Sequence, residues 1–83
     1  MSLVLDQDRR SPAAARHALT RFCAGLGLPA EAGDTIALLV TEVVTNAVLY
    51  GGPVIQLASN LRDGCLRVAV EDGNPQAPRI LEY

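Results

Sequence analysis

Residues 38–52, LLVTEVVTNAVLYGG, place a glutamate and an asparagine inside an otherwise apolar run. They belong to a longer segment, from residue 30 to residue 49, in which Gly33 is the one helix breaker, and which stops at the sequence GGP. A segment of this length favours a helix, although its many Val and Thr residues favour a strand locally. Its apolar side chains recur at helical spacing. They form one stripe of Ile36, Leu39, Val40, Val43, Val44 and Ala47, with Thr41 and Thr45 on the solvent side.

The two polar residues, Glu42 and Asn46, are one helical turn apart on the flank of this stripe. That position predicts half-buried side chains, and burying each one costs about 1–3 kcal/mol unless it finds a partner. One interpretation is a polar helix edge whose groups are satisfied by neighbouring backbone. The other is a metal and nucleotide site, because an amide oxygen suits Mg²⁺ and a carboxylate can orient or deprotonate an attacking hydroxyl or water.

A shorter helix and a strand are predicted before this segment. The alternating sequence SLVLD predicts an edge strand. Ser11 is then in position to cap a helix that has Pro12 as its first residue and stops at Gly25 and Gly27. The apolar residues of this helix are Ala15, Leu19, Phe22, Cys23 and Leu26.

Two alternating segments, residues 53–61 and 65–72, follow the long helix. Asp63 and Gly64 between them are typical of a tight hairpin turn. Residues 73–83 contain two prolines and show no periodicity, which predicts a loop. The resulting prediction is a single α+β domain over residues 1–83, a two-layer sandwich with two helices on one face of a small antiparallel sheet.

Composition excludes several classes of function. The chain has 83 residues, 49 % of them hydrophobic, and we expect a folded domain without a membrane span. Its seven basic residues are all arginine, which excludes a P-loop lysine or a Schiff-base lysine. The net charge of −2 and the scattered arginines argue against nucleic-acid binding. The absence of a leader-like segment predicts a cytoplasmic protein, and Cys23 and Cys65 are interpreted as buried, reduced thiols.

Asp72 ends the last predicted strand, in the sequence VAVEDGNP. An Asp followed by Gly is most often a turn former. In the predicted sandwich, however, Asp72 comes close to the Asn46 edge of the long helix, where a carboxylate could accept a hydrogen bond from an adenine amino group.

These two segments carry a family resemblance. LLVTEVVTNAVLYGG resembles the N-box of the histidine-kinase-like (GHKL) ATPase superfamily, and VAVEDGNPQAP resembles its G1 region. The spacing is similar to that of the bacterial anti-sigma factor serine/threonine kinases, especially the actinobacterial regulators, over residues 11–78. Tyr50 stands where those proteins usually have His, and Asn74 and Pro75 depart from the usual D-x-G-x-G pattern.

The resemblance implies a site for ATP and Mg²⁺. By the resemblance, Glu42 is the general base, Asn46 ligates Mg²⁺ and contacts the nucleotide with Ala47, and Asp72 with Gly73 holds adenine. The reaction would be transfer of the ATP γ-phosphoryl group to a serine of a partner protein, which controls transcription through a sigma factor or its antagonist.

The resemblance also predicts a shortened domain, because family members continue after G1 with a lid and a glycine-rich G2 box, whereas this sequence ends at Tyr83. We expect the uncovered sheet edge and apolar face to favour a homodimer. Two functions remain open at this point: an ATP-binding kinase, and a non-enzymatic interaction module that has lost nucleotide turnover.

Overall fold

The computed structural model describes residues 1–73 and 78–83. It contains two helices and four strands in an α+β arrangement, as predicted. In chain order the elements are β1 (Ser2–Asp6), α1 (Ser11–Gly25), α2 (Ala30–Tyr50), β2 (Val54–Arg62), β3 (Cys65–Glu71) and β4 (Arg79–Glu82).

The sheet is antiparallel, and its strands lie side by side in the order β1-β2-β3-β4. The predicted hairpin between β2 and β3 is confirmed. Asp63 and Gly64 both have positive φ, 52° and 76°, which is the backbone that a two-residue type I′ turn requires.

The prediction of a loop at the end of the chain is wrong for Arg79–Glu82, which form β4. This strand pairs with β3 from Arg67↔Glu82 to Val70↔Arg79. Its hydrogen bonds come from the open edge of β3, so the composition of the segment alone did not indicate a strand. Pro78 precedes the strand, where it removes no ladder hydrogen bond. The predicted loop also includes residues 74–77, which lie outside the residues that the structure describes.

The core lies between the helices and one face of the sheet. Alternate residues of β2 and β3 point into it, and both helices contribute a buried stripe. The core is formed by Leu5, Ala15, Leu19, Cys23, Ile36, Val40, Val44, Ala47, Ile55, Leu57, Leu66, Val68 and Val70. Val43 and Phe22 are half-buried against it. Leu39 and Leu26 are exposed, because they lie at the edges of the predicted helical stripes, and Leu61 is exposed near the hairpin end of β2.

The two cysteines differ. Cys23 is buried, as predicted, and burial raises the pKa of its thiol. Cys65 is only partly buried because it begins β3 at the hairpin end, and its Sγ lies 3.7 Å from a carboxylate oxygen of Glu82.

The start of α1 differs in detail from the prediction. Ser11 is the first helical residue rather than a cap, and its hydroxyl donates to the Asp6 carbonyl oxygen at 2.7 Å. Arg10 precedes the helix, and its backbone N–H donates to Asp8 Oδ1 at 2.8 Å. The Arg10 side chain also hydrogen-bonds Asp8, and this contact lowers the pKa of the Asp8 carboxyl to about 2.

Among the described residues, α2 is the one helix long and apolar enough to cross a membrane, judged by length and composition alone. Its buried stripe accounts for part of this hydropathy, since Ile36, Val40 and Val44 are fully buried in the core. Leu38 and Leu49 on the same helix are each 61 % exposed. The long helix was predicted from residue 30 to 49, and these bounds are confirmed to within one residue.

Candidate functional site

A cleft of about 430 Å³ lies between the C-terminal part of α2 and the neighbouring ends of β3 and β4. This volume falls in the range of small-molecule sites. The described residues that line it are Val43, Asn46, Ala47, Tyr50, Gly51, Val70, Glu71, Asp72, Gly73, Pro78 and Arg79.

The cleft brings together four of the five predicted site residues. Asn46 and Ala47 enter it from α2, and Asp72 and Gly73 enter it from the chain that leaves β3. Ala47 is buried, and its small side chain leaves the space open beside Asn46. Residues far apart in the sequence therefore share one concave surface, as their proposed joint role requires.

Glu42 does not line this cleft. It lies one turn before Asn46 on α2, and both side chains are exposed rather than half-buried as predicted. The reason is that α2 packs through Val40 and Val44, which leaves Glu42 and Asn46 outside the core. The predicted desolvation cost therefore does not arise in this structure.

The position of Asp72 depends on the two glycines after α2. A Cβ on Gly51 would come within 2.9 Å of Asp72 Cγ and 2.6 Å of the Ala47 carbonyl oxygen. A Cβ on Gly52 would overlap the Asp72 carbonyl oxygen. Only glycine therefore allows the chain leaving α2 to pass this close to the end of β3.

Gln7 fixes the same corner from the other side. Its side-chain amide donates to the carbonyl oxygens of Val48 and Gly51, at 3.0 and 3.1 Å. These carbonyls are at the C-terminal end of α2, where helix geometry leaves acceptors without intrahelical partners. The contact links the chain after β1 to the wall of the cleft.

The threonines of α2 behave differently from the prediction. Thr41 and Thr45 are half-buried, and each hydroxyl donates to the carbonyl oxygen four residues earlier, at 2.7 and 2.6 Å. Such bonds satisfy the hydroxyls within the helix itself.

Tyr50 and Arg79 line the cleft but were not predicted as site residues. Tyr50 is, at 80 %, the most exposed of the large hydrophobic residues that the structure describes. It follows Asn46 by one turn, so helical spacing alone could have predicted its position. Arg79 enters the cleft from β4, a strand that was not predicted.

Charge is unevenly distributed around the cleft. The C-terminal end of α2 carries the negative end of the helix dipole, and Asp72 adds a carboxylate. Acceptors of this kind suit an amino group or a cation.

Asn46 supplies a hard amide oxygen of the type that Mg²⁺ accepts. No cluster of three His, Cys, Asp or Glu side chains that could hold a metal occurs in residues 1–73 and 78–83. A Mg²⁺ at Asn46 would therefore need further ligands from a nucleotide or from water, which is its usual mode of binding.

The sequence matches the histidine kinase-like ATPase domain family over residues 5–82, and the chain belongs to this family. The match covers every element from the end of β1 to β4 and includes the whole cleft. It confirms the superfamily that the N-box resemblance indicated and supports ATP binding as the function of the domain. A search among curated proteins gave no significant match.

Replacing Gly52 by Ala tests whether the glycine pair sets the geometry of the cleft. We expect Gly52→Ala to lower the free energy of unfolding by about 1–3 kcal/mol, because the new Cβ overlaps the Asp72 backbone. Denaturant unfolding measures this change. Gly25→Ala is the control, since nothing lies within 4 Å of a Cβ at that position. Equal stability of Gly52→Ala and the wild type would contradict the close approach.

Proposed function

We propose that this cleft binds ATP, with adenine at Asp72 and a phosphate-bound Mg²⁺ at Asn46. The observation that carries the proposal is the meeting of Asn46 and Asp72 in one cleft within a domain of this family. Asp72 supplies a carboxylate acceptor for the adenine amino group, and Gly73, with φ of 79°, turns the chain beside it. Asn46 supplies the amide oxygen for the metal.

We propose further that the protein is an anti-sigma-factor-type serine/threonine kinase that regulates transcription. Glu42 would orient the hydroxyl of a serine on the partner protein. Its exposed position outside the cleft supports this role, because a group that meets a protein substrate must be reachable from solvent. The partner would be a sigma factor or its antagonist.

The second candidate is an interaction module that binds nucleotide without turnover. The observation in its favour is that α2 presents its C-terminal, electronegative end to the cleft. That end does not favour the developing negative charge of phosphoryl transfer.

The variant Glu42→Gln separates the two candidates. Autophosphorylation or transfer of phosphate to a candidate antagonist is followed with labelled ATP. Loss of transfer in the variant, with ATP binding retained, supports the kinase.

We also propose that the protein acts in the cytoplasm, where ATP and transcription factors are found. The burial of the apolar stripe of α2 against the sheet supports this proposal, since that stripe is already covered by protein.

Substitution of Asn46 tests the nucleotide site. We expect Asn46→Ala to weaken the binding of Mg-ATP by at least about tenfold, because one metal ligand is lost. We expect its unfolding free energy to stay within about 0.5 kcal/mol of the wild type, because the Asn46 side chain is exposed. Isothermal titration and denaturant unfolding measure the two quantities.

Asn60→Ala is the matched control, since Asn60 is an exposed asparagine on β2 that does not line the cleft. A loss of stability above about 2 kcal/mol with unchanged nucleotide affinity would instead make Asn46 a structural amide.

A homodimer is the expected assembly. The edge strands β1 and β4 each pair on one side only among the described residues, and Leu38 and Leu49 are both 61 % exposed on α2. Open edges and exposed leucines of this kind commonly mediate association. We expect sedimentation velocity to show a dimer at micromolar concentration, and a single monomeric species would contradict this expectation.

A further inference from the structure

Arg79 occupies a position in the cleft that its strand register explains. It lies opposite Val70 in the β3–β4 pair, and directly opposed residues point to the same face of a sheet. Val70 is buried beneath the helices, so Arg79 also points to the helix side. Two residues later, Leu81 follows the same alternation and packs against the core. Arg79 is the member of this row that reaches the open cleft.

The charge of Arg79 is opposite to that of its surroundings. Among the described lining residues, Arg79 is the only basic one. The other charged side chain that faces the cleft is that of Asp72, and the end of α2 adds a partial negative charge. Glu71 also lines the cleft, but the alternation of β3 turns its side chain to the face opposite Val70. A polyphosphate would be repelled by these groups unless a cation offsets them. The cleft therefore has an electropositive side at β4 and an electronegative side at α2 and the end of β3.

We infer that Arg79 binds the phosphate groups of the nucleotide from the β4 side of the cleft, while Asn46 on α2 would hold their Mg²⁺. This inference rests on the proposed function. A guanidinium group suits the role because its planar fork donates two parallel hydrogen bonds to phosphate oxygens. Asp72 then holds the base, and Arg79 holds the anionic end of the same ligand.

The assignment predicts that the contribution of Arg79 depends on the phosphates and not on the base. We expect Arg79→Gln to weaken ATP and ADP binding by at least about tenfold, because a charge-assisted hydrogen bond to an anion is lost. Adenosine binding should stay within about twofold of the wild type. Arg79→Lys should give an intermediate loss for ATP, since it keeps the charge without the fork.

The measurement is isothermal titration of the full chain with ATP, ADP and adenosine, each with Mg²⁺ and with EDTA. A loss that persists in EDTA shows that Arg79 acts on the phosphates directly rather than through the metal. Arg67→Gln is the matched control. Arg67 lies on β3 opposite Glu82 and Asn60, and it does not line the cleft, so its removal should leave all three affinities unchanged.

Three results would overturn the inference. Unchanged ATP affinity in Arg79→Gln would show that the side chain does not contact the nucleotide, while the proposed ATP site would stand. An equal loss for adenosine and ATP would place Arg79 on the base. If the wild type binds neither ATP nor adenosine, the proposed function fails together with the inference. Circular dichroism spectra that match the wild type ensure that each variant is folded when it is compared.

Discussion

The site depends on one close approach, between the chain leaving α2 and the end of β3. Gly51 and Gly52 pass so near to Asp72 that neither position has room for a side-chain carbon. This contact joins the end of the helix that carries Asn46 to Asp72, the residue that follows β3. It brings the two residues to one cleft.

The contact is supported from both layers of the domain. Below it, Ala47 and Val70 belong to the core, so the walls of the cleft extend directly from packed residues. Beside it, the Gln7 amide binds two carbonyl oxygens at the end of α2. Rigid support of this kind lowers the cost of ordering a site when a ligand binds. It also explains why a helix can present an exposed asparagine in a defined position.

The helix α2 has two distinct faces. Its inner face supplies Ile36, Val40 and Val44 to the core. Its outer flank carries Glu42 and Asn46, which are both exposed, and of these two residues Asn46 lines the cleft. The sequence predicted the inner face well, because 3.6-residue periodicity is a direct record of burial. It predicted the outer flank less well, because periodicity shows which residues avoid the core but not how much other structure covers them.

The same distinction explains the other differences between prediction and structure. The hairpin at Asp63 and Gly64 is encoded in two adjacent residues, and it was predicted correctly. The strand β4 depends on its pairing with β3 and was not predicted. Because Arg79 belongs to this strand, its position in the cleft was missed as well. The proximity of Asn46 and Asp72 was predicted from the helix lying across the sheet, whereas the roles of the two residues came only from the family resemblance.

Mapping the amide NMR signals of the isotope-labelled protein during titration with Mg-ATP tests whether this cleft is the nucleotide site. We expect the shifts to concentrate on Asn46, Gly51, Gly73 and Arg79, while His17 on α1 and Asp63 in the hairpin turn stay unchanged. Shifts confined to α1 or the hairpin would contradict a nucleotide site in the cleft, as would an unchanged spectrum at millimolar nucleotide.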